Sequence, residues 1–317
     1  MPQRPVVSSL TLTYLLMLAA VLIWGGNWVA AKLALDAVPP ITLATLRYAV
    51  STPFILAWMA TQGPLPRVER RLWAAMLALG VLYVVVSNLL FLYGLQYAPA
   101  VDGAIIYPGF QPVFASVLAA LVLHEAIASR QYLGLGVALA GLVLVVAGGQ
   151  VGVASGRARL LGDLMYLGGA LVWAYTTVLI RVVSRHLTAV AASTYSALVG
   201  LPLLLALSLL EGGWGALWRS LPSLWPALGY ATIISTGPPT IFFYNGIWRL
   251  GVARAAAFSY LVPVSGVAMS ALFLGEAVLP LQLLGGLLVL AGLWLVSRRA
   301  AEPGAAPART LQQESRL

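Results

Sequence analysis

Residues 91–145 and 242–296 are two copies of one pattern, and that duplication limits the fold more than any other feature of the chain. Shifted by 151 positions without a gap, Tyr93 falls on Tyr244, Pro112 on Pro263, Val113 on Val264, Glu125 on Glu276, Gly134 on Gly285, and Ala140-Gly141-Leu142 on Ala291-Gly292-Leu293. A Leu-rich composition aligns leucines by chance, but it does not align a proline, a glutamate and glycines at one offset. The copies extend backwards. Trp24, Trp28 and Lys32 match Trp173, Thr177 and Arg181 at an offset of 149, so the second copy gains two residues before Tyr244.

The duplicated material is apolar. The chain is 61% hydrophobic and 9% charged, with a mean hydropathy of +0.93, whereas soluble domains carry about 25% charged residues. Too little polar surface is available to face water, so the chain is an integral membrane protein of all-α class. A spanning helix needs about 20 mostly apolar residues. Ten segments qualify, at roughly 13–33, 41–60, 72–95, 100–123, 130–148, 162–182, 189–210, 223–247, 253–274 and 280–297. They form one membrane domain, residues 1–300, with repeats at about 13–148 and 162–297. Residues 301–317, rich in Ala, Pro, Gln and Glu, are expected to be a disordered cytoplasmic tail. The first apolar run is too long for a signal-peptide core and is read as an uncleaved span.

Five spans per half is an odd number, so the second half enters the membrane from the opposite side. Such inverted repeats let secondary transporters alternate access around a midplane site. With the N-terminus inside, Arg4, Arg67, Arg70, Arg71, Arg130, Arg181, Arg185, Arg249, Arg254, Arg298, Arg299, Arg309 and Arg316 face the cytoplasm. Lys32, Arg157, Arg159 and Arg219 face outward, and Arg47 lies within a span. The bias follows the positive-inside rule and predicts both termini in the cytoplasm of a cell (inner) membrane protein.

Several chemistries are absent. The net charge of +9 forms no basic tract for a phosphate backbone, so nucleic acid is not an expected partner. There is no cysteine, no GxxxxGK[ST] loop, no GxSxG and no HExxH. His124 and His186 lack metal-ligand spacing. No catalytic residue, metal or cofactor is expected, and the chain is not read as an enzyme. The expected partners are a small-molecule substrate and the lipid bilayer. Nothing sets an oligomeric state, and a monomer is compatible with the pattern. The acids Asp36, Glu69, Asp102, Glu125, Asp163, Glu211 and Glu276 all map to span ends or loops. Coupling to an ion is therefore either missing or rests on an end-of-helix acid such as Asp102. The repeated Glu125 and Glu276 read as caps at span ends.

Candidate site residues are the polar and aromatic groups inside the spans, which must face the bundle interior. On span one Trp24 and Trp28 share a face, Lys32 extends it, and Asn27 lies beside it. On span six the stripe is Trp173, Thr177 and Arg181. Spans three and four carry Tyr83, Asn88, Tyr107 and Gln111. Spans eight and nine carry Tyr244, Asn245 and Tyr260. Such groups suit a cavity that stacks a ring while one end binds a charge; the competing reading is packing or an interfacial belt. Lys32, Arg47 and Arg181 are the candidate mouth charges, and Lys32 with Arg47 would draw in an anionic group such as a carboxylate. Pro108, Pro112, Pro238, Pro239 and Pro263 bend these helices. The glycines of spans five and ten allow close packing.

The stretches 112–125 (PVFASVLAALVLHE) and 263–276 (PVSGVAMSALFLGE), the Trp-Gly-Gly-Asn-Trp of span one and the Leu-Arg-Tyr around Arg47 resemble the EamA branch of the drug/metabolite transporter superfamily. The resemblance implies a basket of ten helices around a central cavity lined by spans one, three, four, six, eight and nine. It also implies export of amino acids and their derivatives, nucleosides or drug-like compounds. A membrane sensor or assembly protein that kept the fold without transport is the other function class.

Overall fold

The computed structural model describes residues 10–62, 65–123, 129–151, 156–183, 186–250, 258 and 260–297. Most of the described residues are helical, with no strand among them. The helices are α1 (Leu10–Leu35), α2 (Pro40–Gln62), α3 (Arg70–Tyr97), α4 (Ala100–Leu123), α5 (Ser129–Val151), α6 (Arg157–Val183), α7 (Ala189–Glu211), α8 (Trp214–Gly229), α9 (Pro238–Leu250), α10 (Leu261–Leu274) and α11 (Pro280–Ser297). The helices α1 to α7 are long and apolar enough to cross a membrane, and α10 and α11 are shorter apolar helices. The end of the bundle where α1 finishes is called distal here, and the other end proximal. The expected tail, and His124 with Glu125, lie outside the described residues.

The expected eighth span, 223–247, is not one helix. It is α8, which runs on as a π-helical turn over Tyr230–Ile234, then a break, then α9. Pro238 and Pro239 have no N–H to continue a ladder and crowd the preceding turn. Ser235 Oγ and Thr236 Oγ1 donate to the Ala231 carbonyl, at 3.0 and 3.3 Å, which meets one acceptor that the break leaves open. α3 holds the matching irregularity, a π-helical stretch over Gly80–Ser87. Shifted by 151, residues 80–87 become 231–238, so both halves depart from α-geometry at the same register.

Which helices touch also obeys the duplication. α1 packs on α9 and α10; its counterpart α6 packs on α3 and α4. α5 and α11, the last helices of the two halves, share the most extensive interface. A Cβ on Gly141 would lie 2.6 Å from the Gly285 carbonyl oxygen, and one on Gly285 would lie 2.6 Å from the Gly141 carbonyl oxygen. One on Gly292 would lie 2.6 Å from the carbonyl oxygen of Gly134. Only glycine permits backbones this close. The 151-residue shift turns the pair 141·285 into 292·134, which is what a two-fold relation between the halves requires.

The distal end is tied by carboxylates. Glu276 accepts from the backbone N–H groups of Ala100 (2.9 Å) and Val101 (2.8 Å) at the start of α4. Glu211 accepts from the N–H groups of Ile41 (3.0 Å) and Thr42 (2.7 Å), and from Thr42 Oγ1 (2.7 Å), at the start of α2. Each carboxylate satisfies donors that a helix start leaves open and meets the positive end of the helix dipole. Two sequence expectations need correction here. Asp163 is not at a span end: α6 begins at Arg157, five residues earlier than expected, and Asp163 is 2% exposed. Arg159, counted among outward-facing loop charges, is buried too, donating from Nε (2.8 Å) and Nη2 (3.0 Å) to the two oxygens of Asp102. A hydropathy reading treats each charge alone, whereas a neutralised pair enters the helical bundle together.

Candidate substrate site

Arg47 of α2 faces rings of α3 and α4, to which α1 and α6 add further rings. It sits two turns into α2 with its Nε and Nη1 shut from solvent and without a hydrogen-bond partner among the described residues. Its guanidinium lies over the ring of Phe91, 5.5 Å from the centroid, within range of a cation–π attraction. The ionisable groups around it are the phenols of Tyr48, Tyr107 and Tyr83, with no carboxylate among them. A charge in hydrocarbon is normally paired; this one faces rings instead.

The rings are held by short polar links. Asn88 Nδ2 donates to the Tyr48 hydroxyl (2.8 Å) and to the Tyr83 carbonyl (3.0 Å). The hydroxyls of Ser87 and Tyr107 share a hydrogen bond of 2.6 Å. The second donation from Asn88 reaches back five residues, and the π-helical stretch Gly80–Ser87 ends just before it. π-turns are frequent at functional sites. Tyr107 stacks on Trp173 with centroids 5.4 Å apart and planes 28° apart. Trp28 meets Phe91, Tyr107 and Tyr166 edge-on at 4.9, 6.2 and 5.8 Å. Gln111 Nε2 donates to Thr177 Oγ1 at 2.9 Å, one turn further along both helices. The result is one cation inside an aromatic wall with amide and hydroxyl groups at its edge. Such a site can hold a carboxylate by charge and an attached apolar or aromatic stem by stacking.

Of the sequence-derived residues, Trp28, Arg47, Tyr83, Asn88, Tyr107, Gln111, Trp173 and Thr177 come together here. Trp28 is buried at 4% exposure and serves as the wall's base. Trp24 and Asn27 face the other half of the molecule: Trp24 packs on Phe243 at 5.3 Å, and Asn27 Oδ1 accepts from Ser235 Oγ at 2.9 Å. Asn245 of α9 is buried with both amide atoms lacking a partner among the described residues. Tyr244 also falls on α9, its side chain outside what is described, and Tyr260 lies at the start of α10. The three candidate mouth charges do not share a mouth. Lys32 Nζ donates to the Leu95 and Ala98 carbonyls, where α3 ends at the distal side, and Arg181 is exposed on the last turn of α6 at the proximal side. Sequence reasoning did not single out Phe91 and the phenol of Tyr48, which look like ordinary apolar filling, nor Gln282, whose Nε2 donates to Asp102 and whose Oε1 accepts from the Leu279 N–H (2.9 Å). Arg159 and Asp102 are 57 residues apart in sequence; the only signal that they meet is that both fall at the outward ends of their spans.

Membrane-length helices in two related halves, around an interior lined with rings and the Arg47 guanidinium, define a multi-pass membrane transporter of two-repeat build. The chain belongs to the EamA-like transporter family, whose pattern matches residues 11–147 and again 160–298. Similar proteins include YyaM, an uncharacterized transporter of Bacillus subtilis, 25% identical over 285 residues that take in 90% of this chain and 93% of that one. Two probable amino-acid metabolite efflux pumps, of Salmonella typhimurium and Escherichia coli, are each 28% identical over 291 residues, covering 88% of this chain and 93% of theirs. A solved crystal structure at 20% identity matches with a TM-score of 0.57, over 92% of this chain and 99% of that one; at that identity the likeness concerns the fold alone.

Proposed function

We propose that this protein is a secondary transporter that exports small zwitterionic or anionic metabolites, amino acids or their derivatives, across the cell (inner) membrane by alternating access. Both termini face the cytoplasm in this reading, and no reaction is catalysed. The observation that carries it is Arg47: a guanidinium with Nε and Nη1 shut from solvent and no acid partner among the described residues, set over Phe91 in a ring cluster that continues through Tyr107, Trp28 and Trp173, is what a substrate carboxylate on an apolar stem would complete. The two-fold relation between the halves supports alternation, because each half can take up the other's conformation. The basic bias of the proximal loops supports the orientation. Names of relatives that refer to amino-acid metabolite efflux agree with the substrate class.

The test is uptake into liposomes holding purified protein, with a panel of labelled amino acids and the methyl ester of each. Free carboxylates are expected to move and esters to lag. Folded protein that moves nothing across the panel, or moves esters equally well, would sink the reading.

A further inference from the structure

The distal end holds a second polar cluster that substrate binding does not use. Asp102 at the start of α4 is 0% exposed; Asp163 on α6 is 2% exposed; Arg159 and Gln282 are buried with them. Arg159 grips Asp102 through two hydrogen bonds, and Gln282 donates to the same carboxylate. Asp163 is left over. Neither of its oxygens has a donor among the described residues, yet its charged neighbours are Asp102 and Arg159. The cluster therefore contains two carboxyls and one guanidinium, and one carboxyl has no counter-charge.

We propose that Asp163 binds a proton and donates it as a hydrogen bond to Asp102, so that this proton closes the distal end of the bundle. The step is Asp163–COO⁻ plus H⁺ giving Asp163–COOH, whose O–H points to an Asp102 oxygen; the proton comes from and returns to water. Protonated, the cluster is neutral and ties α4, α6 and α11 together. Ionised, Asp163 and Asp102 repel, Asp163 competes for Arg159, and the tie loosens. A metal cation fits less well than a proton. Arg159 already supplies a positive charge to the nearer carboxylate, and no group of three or more His, Cys, Asp or Glu stands ready to hold a metal ion among the described residues.

The surroundings do not supply the missing charge from elsewhere. Tyr166, on α6, faces Asp102, Glu276 and Asp163 with a phenol, and its hydroxyl donates to the Pro99 carbonyl at 3.3 Å. Glu276, which follows α10, is spent on the Ala100 and Val101 N–H groups, and Lys32 of α1 faces Glu276 rather than Asp163. Glu211 of α7 is spent on α2. α3 and α5 bring no charged group to the cluster among the described residues. The duplication adds an asymmetry. The positions that correspond to Asp102, Asp163 and Arg159 in the other half are Ala253, Tyr14 and Leu10, none of which carries a charge. The repeat-related positions at the proximal end therefore do not reproduce this cluster.

Two measurements test the proposal, and neither needs a substrate, so they stand apart from the transport reading. The chain has nine Asp and Glu in all, few enough for infrared spectroscopy to resolve a protonated carboxyl. Purified wild type near neutral pH is expected to show a carboxylic-acid C=O band that shifts in D₂O, disappears as pH rises and is missing from Asp163→Asn. No such band, or the same band in the variant, overturns the proposal, and the wild-type titration suffices if the variant does not fold. The second measurement uses the absence of native cysteine. Ser270, buried in the distal half of α10, is replaced as Ser270→Cys, and its reaction with a thiol reagent is followed against pH. Divided by the rate of the same cysteine in Asp163→Asn, labelling is expected to rise about tenfold per pH unit, the slope of an opening that releases one proton. A flat ratio overturns the proposal.

Discussion

Replacing Arg47 by methionine should make this protein more stable and less active at once. An arginine at the centre of a span costs about 2.5–3.5 kcal/mol on insertion scales, an upper bound for Arg47, which sits two turns in from the start of α2. The ring of Phe91 at 5.5 Å returns about 0.5–2 kcal/mol. With Nε and Nη1 otherwise unsatisfied, a net cost of up to about 3 kcal/mol remains in the empty protein. Methionine keeps an unbranched, adaptable stem as far as the ε position and discards the charge. Arg47→Met is therefore expected to raise the unfolding midpoint in detergent by a few degrees. A hydrogen bond to a charged group contributes about 1.5–3 kcal/mol, so uptake of carboxylate substrates should fall about ten- to hundredfold. Arg47→Lys should fall between, since a point charge cannot offer the planar two-pronged contact. Thermal unfolding and liposome uptake, measured on the same preparations, check both halves. A variant less stable than wild type would mean that the guanidinium is a structural tie, and unchanged uptake would mean that the substrate does not touch it.

Arg159→Met should destabilise by about 3–5 kcal/mol, because it strands a buried carboxylate, and Arg159→Met with Asp102→Asn should recover much of that loss; strict additivity in denaturant unfolding would refute the pairing. Gly141→Val should lower folded yield sharply, since its Cβ would sit 2.6 Å from the Gly285 carbonyl oxygen, whereas Gly136→Val, with open space around it, should be tolerated in a size-exclusion assay. Trp173→Ala should cut uptake more than it cuts folded yield, and yield loss alone would make it a packing group.

Much of the fold was legible because it rests on two simple signals. Apolar length marks spans wherever charges are absent, and an offset shared by proline, glutamate and glycine marks a repeat whatever lies between. Once Gly141 is seen against Gly285, the alignment gives the matching contact of Gly292 with Gly134. Legibility ended where polar groups cancel each other. Arg159 and Asp102 look like loop residues until they neutralise one another. Lys32 reads as a free charge until the carbonyls of Leu95 and Ala98 occupy it. Arg47 could be found because no residue nearby in sequence answers it. Phe91, its ring partner, could not, because a phenylalanine in a membrane helix is unremarked. Neither π-turn has a composition of its own; each is set by what the helix packs against.

Those two turns leave each half with slack wound into one helix. A helix with a surplus residue can hand that surplus along its length, one hydrogen bond at a time, without coming undone. Each hand-over turns the residues it passes by about 100° and leaves the rest of the helix in place. Side chains that point at the pocket before such a hand-over point elsewhere after it, and the matching register in Gly80–Ser87 and Tyr230–Ile234 equips both sides of the molecule with the same wrench.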